Sequence, residues 1–210
     1  MDIEKLLDDS LNLENELLRV ILKHPLFENS QRLIAVLGLS EISVQHSSAM
    51  RHLMKNSCHT SSFALYRLQY ESLVKALWTF YIAADKDIEW IIGDLNEERV
   101  ERNNKGYPVI AKMLDQLLSA NTPANQVVLS LIELKNYSWK ALNSYVHSGL
   151  HAVYRNLTGY PEELIFTVIR QSNNLLYISA YLLAIITGRN ELINHVSITR
   201  KKFTSCFQLA

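Results

Sequence analysis

Cysteine, glycine and proline are all scarce in this sequence, which contains 2, 6 and 4 of them in 210 residues. Cys58 and Cys206 lie far apart and match neither a zinc-binding pattern nor a redox pair. They could form one disulfide, but reduced thiols in a cytoplasmic protein are the simpler interpretation. With so few glycines and prolines to interrupt helices, the sequence predicts that its helices are long.

Net charge and long apolar runs are also missing. Lys+Arg and Asp+Glu both total 21, so no overall field attracts nucleic acid or an acidic membrane, and an RNA partner would need a local basic patch. The most apolar windows, Leu73–Ala84 and Leu175–Thr187, are shorter than the roughly 20 residues of a membrane-spanning helix. The N-terminal residues Met1–Lys5 do not resemble a signal peptide. We therefore expect a cytoplasmic protein without a membrane segment.

A hydrophobic fraction of 48% in 210 residues is enough for one domain with a proper core. Hydrophobic periodicity, caps and turns predict an all-α, single-domain antiparallel helical bundle spanning residues 1–188, with a C-terminal tail at 189–210. A turn is expected at Asn103–Gly106, and the tail is expected to be a short strand or a loose amphipathic segment. The predicted helices cover about 2–24, 28–38, 41–56, 62–84, 108–119, from 123 to a point between 148 and 156, and 162–187.

A charged stripe follows the third of these helices, which is otherwise apolar nearly all round. Arg67, Glu71 and Lys75 recur at four-residue spacing and therefore share one side of the helix. The stripe could be a salt bridge on the one solvated side of the helix. If it is buried, its charges must be paired or must face a cavity, because an unpaired buried charge is very costly. Arg67 and Glu71 are therefore candidate catalytic residues.

A second stripe runs through the segment after residue 138. Five side chains recur there every four residues: Trp139, Asn143, His147, His151 and Arg155. If the helix continues through Gly149, all five share one face, and Tyr145 lies on the adjoining one. Histidines beside a carboxamide and a guanidinium can transfer protons near neutral pH, which makes His147 and His151 candidate catalytic residues. The alternative is a structural seam of mutually satisfied polar groups between helices.

The last long helix carries a weaker set of polar residues, among them Arg170 and Asn173, and periodicity suggests that three helices converge on one polar pocket. The candidate binding residues are Asn143, Tyr145, Arg155, Arg170 and Asn173. His147 and His151 have the spacing of a helical zinc pair, and Glu71 could add a ligand, but the glutamate of the metalloprotease motif is absent. We predict no metal site and no cofactor.

The sequence resembles a family of uncharacterised bacterial proteins of about 200 residues. Four segments carry the resemblance: 65–71, 139–151, 159–164 and 170–173. More distantly, Asn143–His147 is similar to the second half of the HEPN motif, in which an arginine is followed by four to six residues and then a histidine. Ala141 and Leu142 stand where that arginine usually lies, whereas Arg19–His24 and Arg189–His195 satisfy the spacing. The resemblance implies a HEPN-like helical bundle, often a homodimer, acting as a metal-independent ribonuclease in toxin–antitoxin or phage-defence systems.

Two functions follow from this sequence. The first is a HEPN-like ribonuclease with His147 as general acid–base and Arg67, His151 or Arg155 stabilising the phosphorane charge. The second is a non-catalytic interaction protein, such as an antitoxin, immunity or scaffold component, in which the polar stripes are structural. The expected partners are a second copy of the chain and either RNA or a cognate protein.

Overall fold

Helices make up all the regular structure in the computed structural model, which describes residues 2–94, 96–97 and 108–207. The all-α prediction is therefore confirmed for these residues, while the turn expected at Asn103–Gly106 lies outside them. The described helices are α1 (Ile3–Ile21), α2 (Gln31–Lys55), α3 (His59–Tyr81), α4 (Asp85–Ile92), α5 (Ile110–Ser119), α6 (Asn125–Val146), α7 (Leu150–Thr158), α8 (Glu162–Ile186) and α9 (Asn190–Lys202), followed by a 3₁₀ turn at Thr204–Cys206. None of the described helices is both long and apolar enough to cross a bilayer.

The prediction of two short helices at 28–38 and 41–56 is wrong, because α2 is continuous from Gln31 to Lys55. Ser40, Ser43 and Ser47 lie fully buried along its inner side. Small side chains of this kind let neighbouring helices approach closely, and α2 packs against α3 and α8. Ser43 Oγ donates to the Gln69 carbonyl on α3, 3.1 Å away, and lies 3.0 Å from Ser179 Oγ on α8. Ser43 therefore connects α2 with both α3 and α8.

Helices α3 and α6 run antiparallel. Near the start of α3, the Phe63 ring lies 4.9 Å from Tyr145 at the end of α6. Further along α3, the Tyr70 hydroxyl donates to the Leu131 carbonyl in the first half of α6. The end of α6 and the start of α3 therefore lie at the same end of the bundle, which is also where α7 lies and α8 begins.

The C-terminal segment is helical over Asn190–Lys202 and packs on α1 and α8. His195 Nε2–H donates to the Glu16 carbonyl at 2.8 Å, and Asn173 Nδ2–H donates to the Cys206 carbonyl at 2.9 Å. The Arg200 guanidinium lies against two aromatic rings, 4.6 Å from Tyr177 and 4.7 Å from Phe207. Neither a strand nor a loose segment forms in 190–206, and Cys206 is fully buried.

Candidate functional site

The charged stripe of α3 meets the polar stripe of α6. Arg67 Nε–H donates to Glu71 Oε1 at 2.8 Å, and its Nη1–H donates to Asn143 Oδ1. The guanidinium also stacks 4.3 Å from the Trp139 ring. The side chains of Arg67 and Glu71 are only 13% and 20% exposed. Pairing and stacking therefore satisfy a mostly buried cation within the protein.

The histidines of the second stripe are not part of this cluster. Helix α6 ends at Val146, Ser148 adopts a left-handed φ of 52°, and α7 begins at Leu150. The expectation that one helix carries residues 139–155 on one face is therefore wrong. His147 and His151 are exposed on either side of the break, and Arg67 bonds to Glu71 and Asn143.

The break depends on the close fit between Gly149 and Ser144. A Cβ atom at Gly149 would lie 2.8 Å from Ser144 Oγ, so this position favours glycine. Ser144 Oγ accepts hydrogen bonds from the His151 amide at 2.8 Å and the Ala152 amide at 3.4 Å. It thereby satisfies two amides at the start of α7 that have no partner within that helix.

Ser144→Ala should therefore loosen α7 without disturbing the bundle. We expect the free energy of unfolding to fall by about 1 kcal/mol, as for loss of an N-cap. Hydrogen exchange followed by NMR should show faster exchange at the amides of His151 and Ala152. Ser130→Ala is the matched control, because Ser130 Oγ bonds only to the Gln126 carbonyl of its own helix. Unchanged exchange at the two amides in Ser144→Ala would contradict this role.

Aromatic rings hold the other end of α7 against the bundle. The Tyr160 ring lies 4.9 Å from His59 and 5.3 Å from Phe63, and its hydroxyl is 2.8 Å from Thr60 Oγ1. Tyr145, a predicted binding residue, is buried in the same group. Burial and the neighbouring Tyr160 raise the pKa of Tyr145, against the opposing effect of Arg155, so its phenol stays protonated at neutral pH. Partial burial lowers the pKa of His59, which favours its neutral form.

The predicted residues of α8 do not converge on the Arg67 cluster. Asn173 is fully buried and donates to Ser10 Oγ at 2.8 Å as well as to the Cys206 carbonyl, so it joins α8 to α1 and the C-terminus. The guanidinium of the half-buried Arg170 lies 5.7 Å from the Phe166 ring. Arg155 is half-buried on α7, 5.5 Å from the Tyr154 ring. The prediction that three helices converge on one polar pocket is therefore wrong. Ligand binding by these residues stays a prediction.

Helix α7 presents an apolar face to solvent, which the sequence interpretation missed. Four side chains on that face are exposed by 82%, 50%, 55% and 79%: Leu150, Val153, Tyr154 and Leu157. Their spacing of i, i+3, i+4 and i+7 is that of one side of a helix. Ala152, on the opposite side, is buried against the bundle. The spacing is readable in the sequence. The sequence interpretation instead treats this segment as a continuation of the preceding helix, with the polar stripe as its functional face.

A shallow apolar recess lies at the other end of α3 and α8. It has a volume of about 440 Å³ and is lined by Phe27, Glu28, Leu33, Phe80, Ile185, Ile186 and Gly188. It therefore lies far along the bundle from the Arg67 cluster and from α7. Among the described residues, no group of three His, Cys, Asp or Glu side chains is arranged to hold a metal ion.

Comparison with known proteins returned one family. Residues 40–209 match the sequence profile of DUF6988, a family of unknown function. No curated protein and no solved structure matches the chain. The matched range covers α3, α6, α7 and α8 in full, and with them the Arg67 cluster and the apolar face of α7.

Proposed function

We propose that this chain, which belongs to the DUF6988 family of unknown function, is a non-catalytic interaction protein. Its partner is a protein that binds the apolar outer face of α7. A role as an antitoxin, immunity or scaffold component would fit this description.

The observation that carries the proposal is the orientation of α7. An amphipathic helix at a protein surface normally turns its apolar side inward, because burying that side drives its folding. Here the inward residue is the small Ala152, and the larger apolar residues Leu150 and Leu157 face solvent. Single exposed leucines need no explanation, but a contiguous apolar patch marks an interaction site.

The Arg67 cluster supports the non-catalytic part of the proposal. Arg67 is bonded to Glu71 and Asn143 and stacked on Trp139, so the groups expected to act on a substrate are already engaged with one another. Such a network joins α3 to α6 and fixes the register of the two helices. In this proposal the polar stripe is a structural seam between helices.

One observation favours a second function, a HEPN-like metal-independent ribonuclease acting as a toxin or phage-defence effector. His147 and His151 are both exposed next to the break between α6 and α7, where a substrate could reach them. His147 would act as general acid–base, and His151 or Arg155 would stabilise the charge of the phosphorane. Arg67 is less suited to that role, because its donors are directed at Glu71 and Asn143.

The proposed function can be tested by capture from a bacterial lysate with the purified, tagged chain. We expect the wild type to retain a specific protein that the variant Leu150→Asp/Leu157→Asp loses, because two carboxylates disrupt the apolar face. Leu129→Asp/Ile198→Asp is the matched control, since both residues are exposed on other helices. A captured set that is the same for all three proteins, together with a wild type that stays monomeric, would contradict binding through α7.

A ribonuclease assay on the same preparations separates the two functions. A mixed RNA substrate is incubated with wild type and with His147→Ala in excess chelator. Under the interaction proposal neither protein cleaves RNA. Cleavage that persists in chelator and disappears with His147→Ala would replace the proposal with the ribonuclease function.

A further inference from the structure

We propose that the partner at the α7 face is a second copy of this chain, with two α7 helices packed antiparallel across a two-fold axis. The proposal rests on the function proposed above, since it names the occupant of the same face. It is derived from the order of apolar residues along α7, the charges at its two ends and the area that the face can bury.

The apolar residues of α7 have the same spacing when read from either end. Positions 150, 153, 154 and 157 are separated by three, one and three residues. A two-fold axis through the middle of this pattern places Leu150 of one copy against Leu157 of the other. Val153 and Tyr154, which flank the axis, each lie beside their own counterpart in the other copy. A two-fold interface requires a patch that is complementary to itself, and this arrangement of side chains meets that requirement.

The charges beside α7 are also complementary in an antiparallel pair. Lys140 is exposed on α6 before α7 begins, whereas Glu162 and Glu163 are exposed just after it ends. Arg155, in the last turn of α7, is half-buried and lies 5.5 Å from the Tyr154 ring. When two copies pair antiparallel, the acidic end of one lies beside the basic end of the other at both edges of the apolar patch. A parallel pair would instead place like charges together. With 21 basic and 21 acidic residues, two copies do not repel each other through net charge.

The exposed area is sufficient for an interface of modest affinity. Leu150, Val153, Tyr154 and Leu157 offer roughly 500 Å² of exposed side chain per copy, and a pair would bury about 1,000 Å², the lower bound for a specific interface. The contact is apolar at its centre and charged at its edges, as protein interfaces are. We therefore expect a weak, reversible dimer.

Sedimentation equilibrium of the full chain over about 1 to 200 μM tests the proposal directly. We expect the wild type to dimerise and the variant Leu150→Asp/Leu157→Asp to associate at least about tenfold more weakly. The control Leu129→Asp/Ile198→Asp should associate like the wild type. Because all four positions are exposed, circular dichroism and thermal melting should show that every variant folds.

Charge reversal tests the antiparallel orientation. Glu162→Lys/Glu163→Lys should weaken self-association severalfold, because each basic end then faces lysines. Mixing this variant with Lys140→Glu should restore association as a heterodimer, since acidic and basic ends again oppose each other at both edges. In a Cys58→Ser background, Tyr154→Cys should form a disulfide-linked dimer on oxidation, whereas Ile198→Cys should not.

The outcomes separate this proposal from the function on which it rests. A wild type that stays monomeric while lysate capture still depends on α7 would overturn the self-association and leave the interaction function standing. A monomeric wild type whose captured proteins do not depend on α7 would overturn both. A dimer unaffected by substitutions on α7 would assign the contact to another surface and reject the proposal.

Discussion

Glu14→Ala should reduce the free energy of unfolding by about 3 to 5 kcal/mol, the usual effect of removing one partner of a buried ion pair. Glu14 on α1 bonds to Arg51 on α2, and the two side chains are only 12% and 5% exposed. Without Glu14, Arg51 keeps a hydrogen bond to Ser47 Oγ at 3.1 Å but no carboxylate. A buried cation would then be left without a counter-charge.

Thermal melting and urea titration measure this effect, and the melting temperature should fall by roughly 10 °C for a chain of this size. The same two helices supply a control, since Asp8 and Lys55 form a 3.3 Å pair with 59% and 57% exposure. Asp8→Ala should change the free energy by less than about 1 kcal/mol, because exposed pairs contribute little. The double variant Glu14→Leu/Arg51→Met should recover most of the loss. Equal effects of Glu14→Ala and Asp8→Ala would contradict the importance of burial.

The second large effect is expected at Gln69, which is fully buried at the centre of α3. Its Nε2–H donates to the Ser172 carbonyl at 2.9 Å, and its Oε1 accepts from Ser172 Oγ at 2.6 Å. Ser47 Oγ lies 3.3 Å from Ser172 Oγ, which extends the network from α3 and α8 to α2. Gln69→Ala removes two hydrogen bonds and leaves a cavity, so the free energy of unfolding should fall by about 3 kcal/mol or more.

Gln69→Met separates the two contributions, because methionine nearly fills the volume and lacks the amide. We expect it to lose about half as much stability as Gln69→Ala, with the difference reflecting the cavity. Gln126→Ala, at an exposed position of α6, is the control and should change little. Equal losses for the alanine and methionine variants would assign the whole effect to the hydrogen bonds.

Local signals in the sequence predict the third helix and one ion pair correctly. The third helix is predicted at about 62–84 and observed at His59–Tyr81, because its apolar residues all lie within the segment. Its N-cap, Cys58, makes no side-chain capping hydrogen bond, and the start is therefore displaced from the predicted one. The pairing of Arg67 with Glu71 was also predictable, since residues four apart are neighbours on any helix. Both outcomes depend on helix geometry and require no knowledge of what the helix packs against.

The HEPN-like spacings show the limit of pattern matching. Arg189 and His195 satisfy the motif, yet His195 is bonded to the Glu16 carbonyl and Arg189 pairs with Glu191 at 3.3 Å. A spacing between two residue types says nothing about which other groups those side chains meet.

By itself, the sequence determined the all-α class of the described residues, the positions of α3 and α8 and the Arg67–Glu71 pair, because periodicity and i,i+4 contacts act over a few residues. Only the tertiary structure decided that Asn143 and Trp139 complete the cluster, that Gly149 fits against Ser144 to end α6, and that Ala152 faces inward. The cluster depends on contacts between segments distant along the chain, and the direction of Ala152 depends on which side of α7 packs against the bundle. The fit of Gly149 against Ser144 is local, but it requires the left-handed turn at Ser148, which the residue types do not specify. That is why the apolar face of α7 became visible as a surface only in the folded protein.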